Sequence, residues 1–484
     1  MFGLALLVLG PQMREPGTVI GTAEGDVHHQ FLTWRGFAAD EIRAGNFPEW
    51  NDRIFGGNPF HATLQSALLY PPNVAYWVLP LGWATNLVWW FHLGMVGTGV
   101  GLWVRWRGVS VWGSVIAGAV VMLSGSMLMR VYVGHLANAP AAVWFPWLLL
   151  GLEMCVGKGR NECVRGWTPG RGARWVGVMV IAMSGGLMVH AGHPQYAYYA
   201  SILGGAYGLI CLARCWSWGA AGAIGCGAAL AGLMSMPAIL PALELADELG
   251  RAGGLSPGEA ASYAMPPENL LTLVSPVLFG ISDAREGELE YVGRWFSWEN
   301  HVYVGCAAVV LMWVGFRLHR SMRWIGLGVL VVVIMALGFH TPLYGWMYAW
   351  VPGWDQFRGT SKLMFHATVL GSLLVGMGFD QLRGREVDGV VEAGRILKPD
   401  QTGSADRAAV VGRRMAWVMA GMLLLGAMFV WGRGAGRGGL MDVWSGQIVR
   451  MGETHDPGRL RSVATWERAA EHASIRLLLA GLLM

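Results

Sequence analysis

Asp26, in the segment GDVHHQF, immediately precedes a stretch with helical periodicity. A carboxylate at that place can take a proton from an acceptor hydroxyl as a general base. It can equally cap the helix by accepting a free backbone N–H, and residue type alone favours the cap. Far along the chain, PGWDQFRGTSK (352–362) places Arg358 and Lys362 four residues apart, with Thr360 or Ser361 expected as N-cap of the apolar stretch that follows. A helix N-terminus flanked by Arg and Lys suits a phosphate. The same pair can also snorkel to lipid headgroups, and the two readings have equal weight. Asp52, in the turn-like PEWNDRIFGGNP, reads first as a turn former. His28, His29, His61, His135, His190, His193, His301 and His340 are scattered through the same polar segments, but none has a spacing diagnostic of a metal site such as HExxH. No cofactor is expected; a divalent metal has only this scatter in its favour.

These residues need elements to hold them, and composition says of what kind. The 484-residue chain has 14% charged and 54% hydrophobic residues, against about 25% charged in soluble domains. Its 26 Trp and 71 Gly fit a membrane protein, where Trp gathers at interfaces and Gly is tolerated within helices. The formal charge of +4 gives no nucleic-acid footprint. The expected fold is all-α, a polytopic bundle. Spans are predicted at 83–104, 109–129, 136–156, 175–190, 196–213, 218–240, 298–316, 324–341, 362–381 and 415–432. Met1–Gly10 and Ile475–Met484 read as partial spans cut at the chain ends, giving about 11–12 spans in all, and 68–81 as a further partial span. Residues 1–432 form one module, and 433–484 an outer segment with the start of a last span. The six cysteines are expected to pack helices, since Cys211 and Cys215 have no second Cys or His pair nearby.

Lys and Arg alternate between loops. With 11–66 placed outside, the inside loops 105–108, 157–174, 214–217, 317–323 and 382–414 carry the basic residues, and 382–414 reads as a polar connector. Within 11–66, Phe31, Trp34, Ala38 and Ile42 share one helical face and Arg35, Asp40 and Arg43 lie elsewhere, so 28–44 is expected to be an interfacial helix stopped at Gly45. Span centres are nearly free of ionisable groups; His92 is the clearest exception and reads as hydrogen-bonded within the bundle. An ion-coupled transporter needs buried charge near the midplane, so transport is disfavoured. The polar residues gather at the outer rim instead.

Several segments, taken in order over about residues 20–380, resemble the bacterial YfhO-like membrane protein family, related to the GT-C glycosyltransferases. They are Gly25-Asp26 with Gln30, GNFPEWND with GGNP, LLYPP, Ser124-Gly125 with Gly134-His135, GHPQ, SPVLFG, WENHVYVG and PGWDQFRGTSK. The resemblance implies a GT-C-like bundle in the bacterial cytoplasmic membrane. It would transfer a sugar from a polyprenyl-phosphate donor to an envelope glycan or lipid acceptor on the extracytoplasmic face. It raises Asp26 to candidate base and makes Arg358 and Lys362 holders of the leaving phosphate. Glu299, His193, Gln195, Gln30 and Asp52 become possible substrate contacts. The alternatives are a flippase for a lipid-linked glycan and a non-catalytic envelope-assembly protein.

Overall fold

The computed structural model describes residues 1–383, apart from 15–16, 24, 158–170, 247–252, 274, 281, 283–290 and 320–321. The expected span 415–432, nearly all of the connector 382–414 and the segment 433–484 lie outside the described residues, as does Cys163. In chain order the longer helices are α1 (Phe2–Met13) and α2 (Leu32–Arg43), then α3 (Leu81–Trp106), α4 (Val111–Met122), α5 (Gly125–Tyr132) and α6 (Asn138–Val156). There follow α7 (Gly172–His190), α8 (Pro194–Arg214), α9 (Trp218–Glu244), α10 (Cys306–Leu318), α11 (Arg323–Ala336) and α12 (Thr360–Leu382).

The chain is a multi-pass helical membrane bundle. Among the described residues α3, α6, α7, α8, α9 and α12 are long and apolar enough to cross a bilayer; α4 and α5 are long and apolar enough only as a pair, bent by 43° at their junction. Two of the expected spans, 298–316 and 324–341, are shorter. The helix α10 has 13 residues and α11 has 14, each well short of the ~20 that cross the ~30 Å hydrocarbon layer, while α1, read as a partial span, has 12. In the predicted span 298–316 the first turns are given up because Glu299 and His301 are polar. Residues 301–305 leave the helical conformation, and Gly305 sits at φ 91° before α10 begins. The segment 68–81 holds only a turn at Pro71–Asn73 and the five-residue helix Val74–Val78, so it is no partial span.

The centre of the bundle is α12, 94% buried over its apolar window. Close approach to α10 is possible because both helices carry glycine at the crossing: a Cβ on Gly378 would lie 2.0 Å from the Leu311 carbonyl oxygen, and one on Gly315 2.1 Å from that of Leu374. Small residues of this kind let membrane helices pack backbone to backbone. At the opposite extreme α9 is 17% buried and forms a lipid-facing edge.

Inside the bundle His92 Nδ1 donates to the Val88 carbonyl at 2.6 Å, and Nε2 accepts from the Tyr70 hydroxyl at 2.7 Å. That is the within-bundle role read from its sequence position. Glu153 pairs with Arg107 and Tyr207, and Asp380 takes the Ser110 hydroxyl and, at 2.6 Å, its backbone N–H. Both carboxylates are satisfied as helix clamps at the end of the bundle away from Asp26.

The first loop folds back over the other end. A π-helical turn at Val27–Phe31 runs into α2, which ends in a left-handed Gly45 at φ 87°, with Asn46 N–H bonded to the Glu41 carbonyl. This is the glycine stop expected there. Phe37, Ala38, Phe60 and Leu68 form a small core under α2, joined by Trp34 and Ile42. Arg35 departs from expectation: it is 3% exposed, its guanidinium donating to the Ser66 carbonyl and lying 5.8 Å from the Tyr76 ring centroid. A single cation on the covered face is held by a carbonyl and π-faces rather than by a carboxylate.

The loop is sutured to the end of α5. Thr22 N–H bonds to the Tyr132 carbonyl at 2.6 Å, Gly25 packs on the Val133 carbonyl, and Gly134 (φ 78°) lies under Val27. A Cβ on Gly25 would stand 2.4 Å from that carbonyl oxygen. Gly25→Ala is therefore expected to lift the loop and cost about 1–3 kcal/mol. Thermal unfolding of the purified variant measures this; an unchanged midpoint would mean that the contact contributes nothing.

Candidate active site

The suture places Asp26 beside His135. The Asp26 carboxylate lies 3.1 Å from His135 Nε2, with the Asp26 side chain 53% and the His135 side chain 12% exposed. Asp26 does occupy the N-cap position of Val27–Phe31, but its side chain makes no cap hydrogen bond. Its carboxylate is committed to histidine. Asn138 Nδ2 stands 3.1 Å from His135 Nδ1. With Asn138 donating there, Nε2 carries the ring proton and donates to Asp26, a tautomer assigned from this hydrogen-bond network. Burial lowers the pKa of His135 more than its hydrogen bond to Asp26 raises it, and the nearby Arg130 lowers it further. His135 is thus a neutral donor at neutral pH.

Behind His135 lies a buried ionic cluster. Glu299 is 3.0 Å from Arg130 Nη1 and 3.3 Å from Lys362 Nζ, and the three side chains are 4–10% exposed. Ser361 donates to the same carboxylate at 3.4 Å. Burial works to raise the pKa of Glu299, but Arg130, Lys362 and His135 together outweigh it and hold the carboxyl well below the usual range. Two cations against one carboxylate leave one positive charge in excess, and Arg130 Nε, buried, has no hydrogen-bond partner among the described residues. Such a site is suited to an anion arriving from the Asp26 side.

Three distant segments meet here for local reasons. The break at Leu123–Ser124 bends α5 so that Arg130 points inward, and Gly125 at the bend lies against the His301 ring while its N–H bonds to the Tyr303 carbonyl. Glu299 rides on the four-residue helix Ser297–Asn300. Lys362 closes the turn Thr360–Lys362, entered through Gly359 at φ 76°, where a Cβ would stand 2.7 Å from Lys362 Nζ. Neither Thr360 nor Ser361 is the expected N-cap: Thr360 Oγ1 donates to the Ala336 carbonyl at 2.9 Å, and Ser361 serves Glu299.

The remaining sequence candidates divide between the cluster and its surroundings. His193 is half-buried next to it, its ring 5.2 Å from that of Tyr196; loss of solvent around the ring lowers its pKa far below the ordinary value, and Lys362 and His135 add to the effect. Gln195 donates to the Arg358 carbonyl at 2.6 Å and to Tyr199 Oη at 2.9 Å. Arg358 itself is exposed, its guanidinium 5.1 Å from the centroid of Tyr263. Arg358 and Lys362 are therefore unlike: the lysine is buried and paired, the arginine is at the surface. Gln30 is bonded to Gln65 at 2.9 Å, and Asp52 is exposed in a hairpin loop with no contact to the cluster among the described residues. No group of three His, Cys, Asp or Glu among the described residues is arranged to hold a metal ion.

Glu299 was expected only as a possible substrate contact, and Arg130 was not among the candidate residues. The signal for their partnership was thin: both are lone charges at the ends of apolar stretches, where a bilayer favours pairing.

His135→Ala is expected to lower kcat about tenfold, ~1.4 kcal/mol in the barrier, because Asp26 loses the N–H that orients it. Substitution by Gln, which keeps an N–H donor, should recover part of the loss. Steady-state kinetics of both variants decide this; equal rates for wild type and His135→Ala would remove histidine from the site.

No protein-family model matches the chain, and no curated protein matches it, so neither places it in the family that its ordered motifs resemble. Two solved structures are similar in fold, both ArnT from Cupriavidus metallidurans. One is bound to undecaprenyl phosphate (13% identity, TM-score 0.45) and the other is in the apo state (13% identity, TM-score 0.42). Each alignment covers 99% of this chain and 76% of the ArnT chain.

Proposed function

We propose that this chain is an inverting membrane glycosyltransferase that moves a sugar from a polyprenyl-phosphate donor to a hydroxyl of an envelope glycan or lipid. The site faces the extracytoplasmic side of the bacterial cytoplasmic membrane in this reading. The observation that carries it is the Asp26–His135 pair at the edge of a buried cluster with excess positive charge. A partly exposed carboxylate, held at one oxygen, can take a proton with the other, while fixed cations a short way behind it stabilise an anionic leaving group.

The acceptor oxygen attacks the anomeric carbon as its proton passes to Asp26. The bond from that carbon to the phosphate oxygen breaks, and polyprenyl phosphate departs with the electron pair. Its growing charge is met by Arg130 and Lys362, with Arg358 at the surface reaching the phosphate from the membrane side. Glu299 keeps the two buried cations together between turnovers. The charge alternation of the loops and the ordered motifs support the choice of face and donor.

The test is incubation of the purified chain in lipid nanodiscs with a panel of polyprenyl-phosphate sugars labelled in the sugar, together with membrane glycan extracts. Transfer of label from lipid to acceptor is the expected result. Label that stays on the lipid for every donor overturns the proposal.

A further inference from the structure

The first loop carries a feature that catalysis does not use. Residues 50–59 form a small hairpin, β1 (Trp50–Asn51) paired antiparallel with β2 (Asn58–Pro59), and its flank and tip are aromatic and uncovered. Phe47 is 51%, Trp50 57% and Phe55 91% exposed. Phe55 also stands at φ 53°, a left-handed conformation that is unfavourable for a bulky residue. The hairpin is nevertheless fixed. Phe60 N–H bonds to the Glu49 carbonyl at 2.6 Å, Arg53 lies 5.3 Å from the Phe37 ring centroid, and the Trp50 indole covers Gly57, where no Cβ would fit.

Its position relative to the bilayer follows from one contact. His61 Nε2, directly after the hairpin, is 3.1 Å from the Pro237 carbonyl of the lipid-facing helix α9. Trp218, 80% exposed and close to Arg214, marks the opposite interface. Pro237 lies about 28 Å along the helix from Trp218 at 1.5 Å per residue, level with the near edge of a ~30 Å hydrocarbon layer. Around it α9 exposes Leu233, Leu240 and Leu243, and Phe47 packs edge-on against His61 at 5.1 Å, extending that apolar surface.

We infer that the hairpin is a membrane anchor whose aromatic residues Phe47, Trp50 and Phe55 insert into the leaflet on the Asp26 side, mooring the loop that carries Asp26 to the bilayer. Insertion places an otherwise bare aromatic tip in the interfacial zone that such rings prefer. It also joins the hairpin to the lipid-facing side of α9 through Phe47 and His61.

The test is a fluorophore attached at Phe55→Cys, in a background with the native cysteines replaced by alanine. The protein is reconstituted into phosphatidylcholine–phosphatidylglycerol vesicles with and without nitroxide lipid. A label at Leu243→Cys is the interfacial reference, and Trp50→Cys is the second site should Phe55→Cys not fold. Quenching by the nitroxide lipid within twofold of the Leu243 reference, with little quenching by aqueous iodide, is expected. Full iodide quenching without lipid quenching overturns the anchor, and so does shielding from both, which would mean a protein occupant or a second copy. None of these readings depends on enzymatic activity, so the anchor can fail while the proposed transferase stands, and the reverse.

Discussion

Asp26→Asn is expected to reduce sugar transfer by about 10²–10⁴-fold while expression, membrane insertion and thermal stability stay near wild type. The amide keeps the shape of the side chain and can still accept from His135 Nε2, so the suture of Thr22 and Gly25 to residues 132–134 is undisturbed. What it loses is the oxygen that can take a proton. A pure helix cap would behave differently, since Asn caps as well as Asp and activity would survive. Transfer rates and melting of the two proteins in the same detergent separate these outcomes. Full activity in the variant would remove Asp26 from the chemistry.

The second large effect concerns Glu299. Glu299→Gln leaves Arg130 and Lys362 buried side by side with no countercharge, and breaking a buried ion pair from one side costs about 3–5 kcal/mol. The double variant Glu299→Gln with Lys362→Gln should be more stable than Glu299→Gln alone, because one of the two uncompensated cations is gone. Thermal unfolding of the three proteins is the measurement; an unchanged midpoint in Glu299→Gln would show that the cluster is not held by this carboxylate.

The same group predicts a response to acid. The pKa of Glu299 is depressed in the folded chain, so its contribution to stability is complete above the unfolded-state value of about 4.3 and is lost as pH falls below it toward the folded value. His135 and His193 act earlier and in the same direction. Their folded pKa values are lowered by burial, so the unfolded chain takes up protons first and stability begins to fall below about pH 6.5. Glu299→Gln should remove the acid step below pH 4.3 and leave the histidine step in place.

Much of this arrangement was legible from residue pattern. The apolar stretches gave α3, α6, α7, α8, α9 and α12 within a few residues, since twenty apolar residues have few alternatives in lipid. The helix over 28–44 and its glycine stop were legible for a similar reason: a periodic face followed by Gly45 leaves the chain little choice. The site was half legible. Asp26, His193, Gln195, Arg358, Lys362 and Glu299 were all singled out, yet their pairing was not, because Arg130, Glu299 and Lys362 are brought together only by the bend at Ser124 and the crossing of α10 with α12. Lys362 looked like a free phosphate ligand beside Arg358, whereas its partner lies 63 residues away. Arg35 shows the same limit on the loop. Its position on the helical wheel gave a polar face, and only the folded loop supplies the Ser66 carbonyl that lets it be buried.

The central claim, that the site breaks the bond between a sugar and a lipid phosphate, is tested most directly by identifying the lipid product. The purified chain in nanodiscs is given a polyprenyl-phosphate sugar and an acceptor glycan, and the lipids are extracted and analysed by mass spectrometry alongside Asp26→Asn. Free polyprenyl phosphate formed in step with glycosylated acceptor, by the wild-type chain and not by the variant, is the predicted result. Donor recovered intact from both proteins would contradict the account.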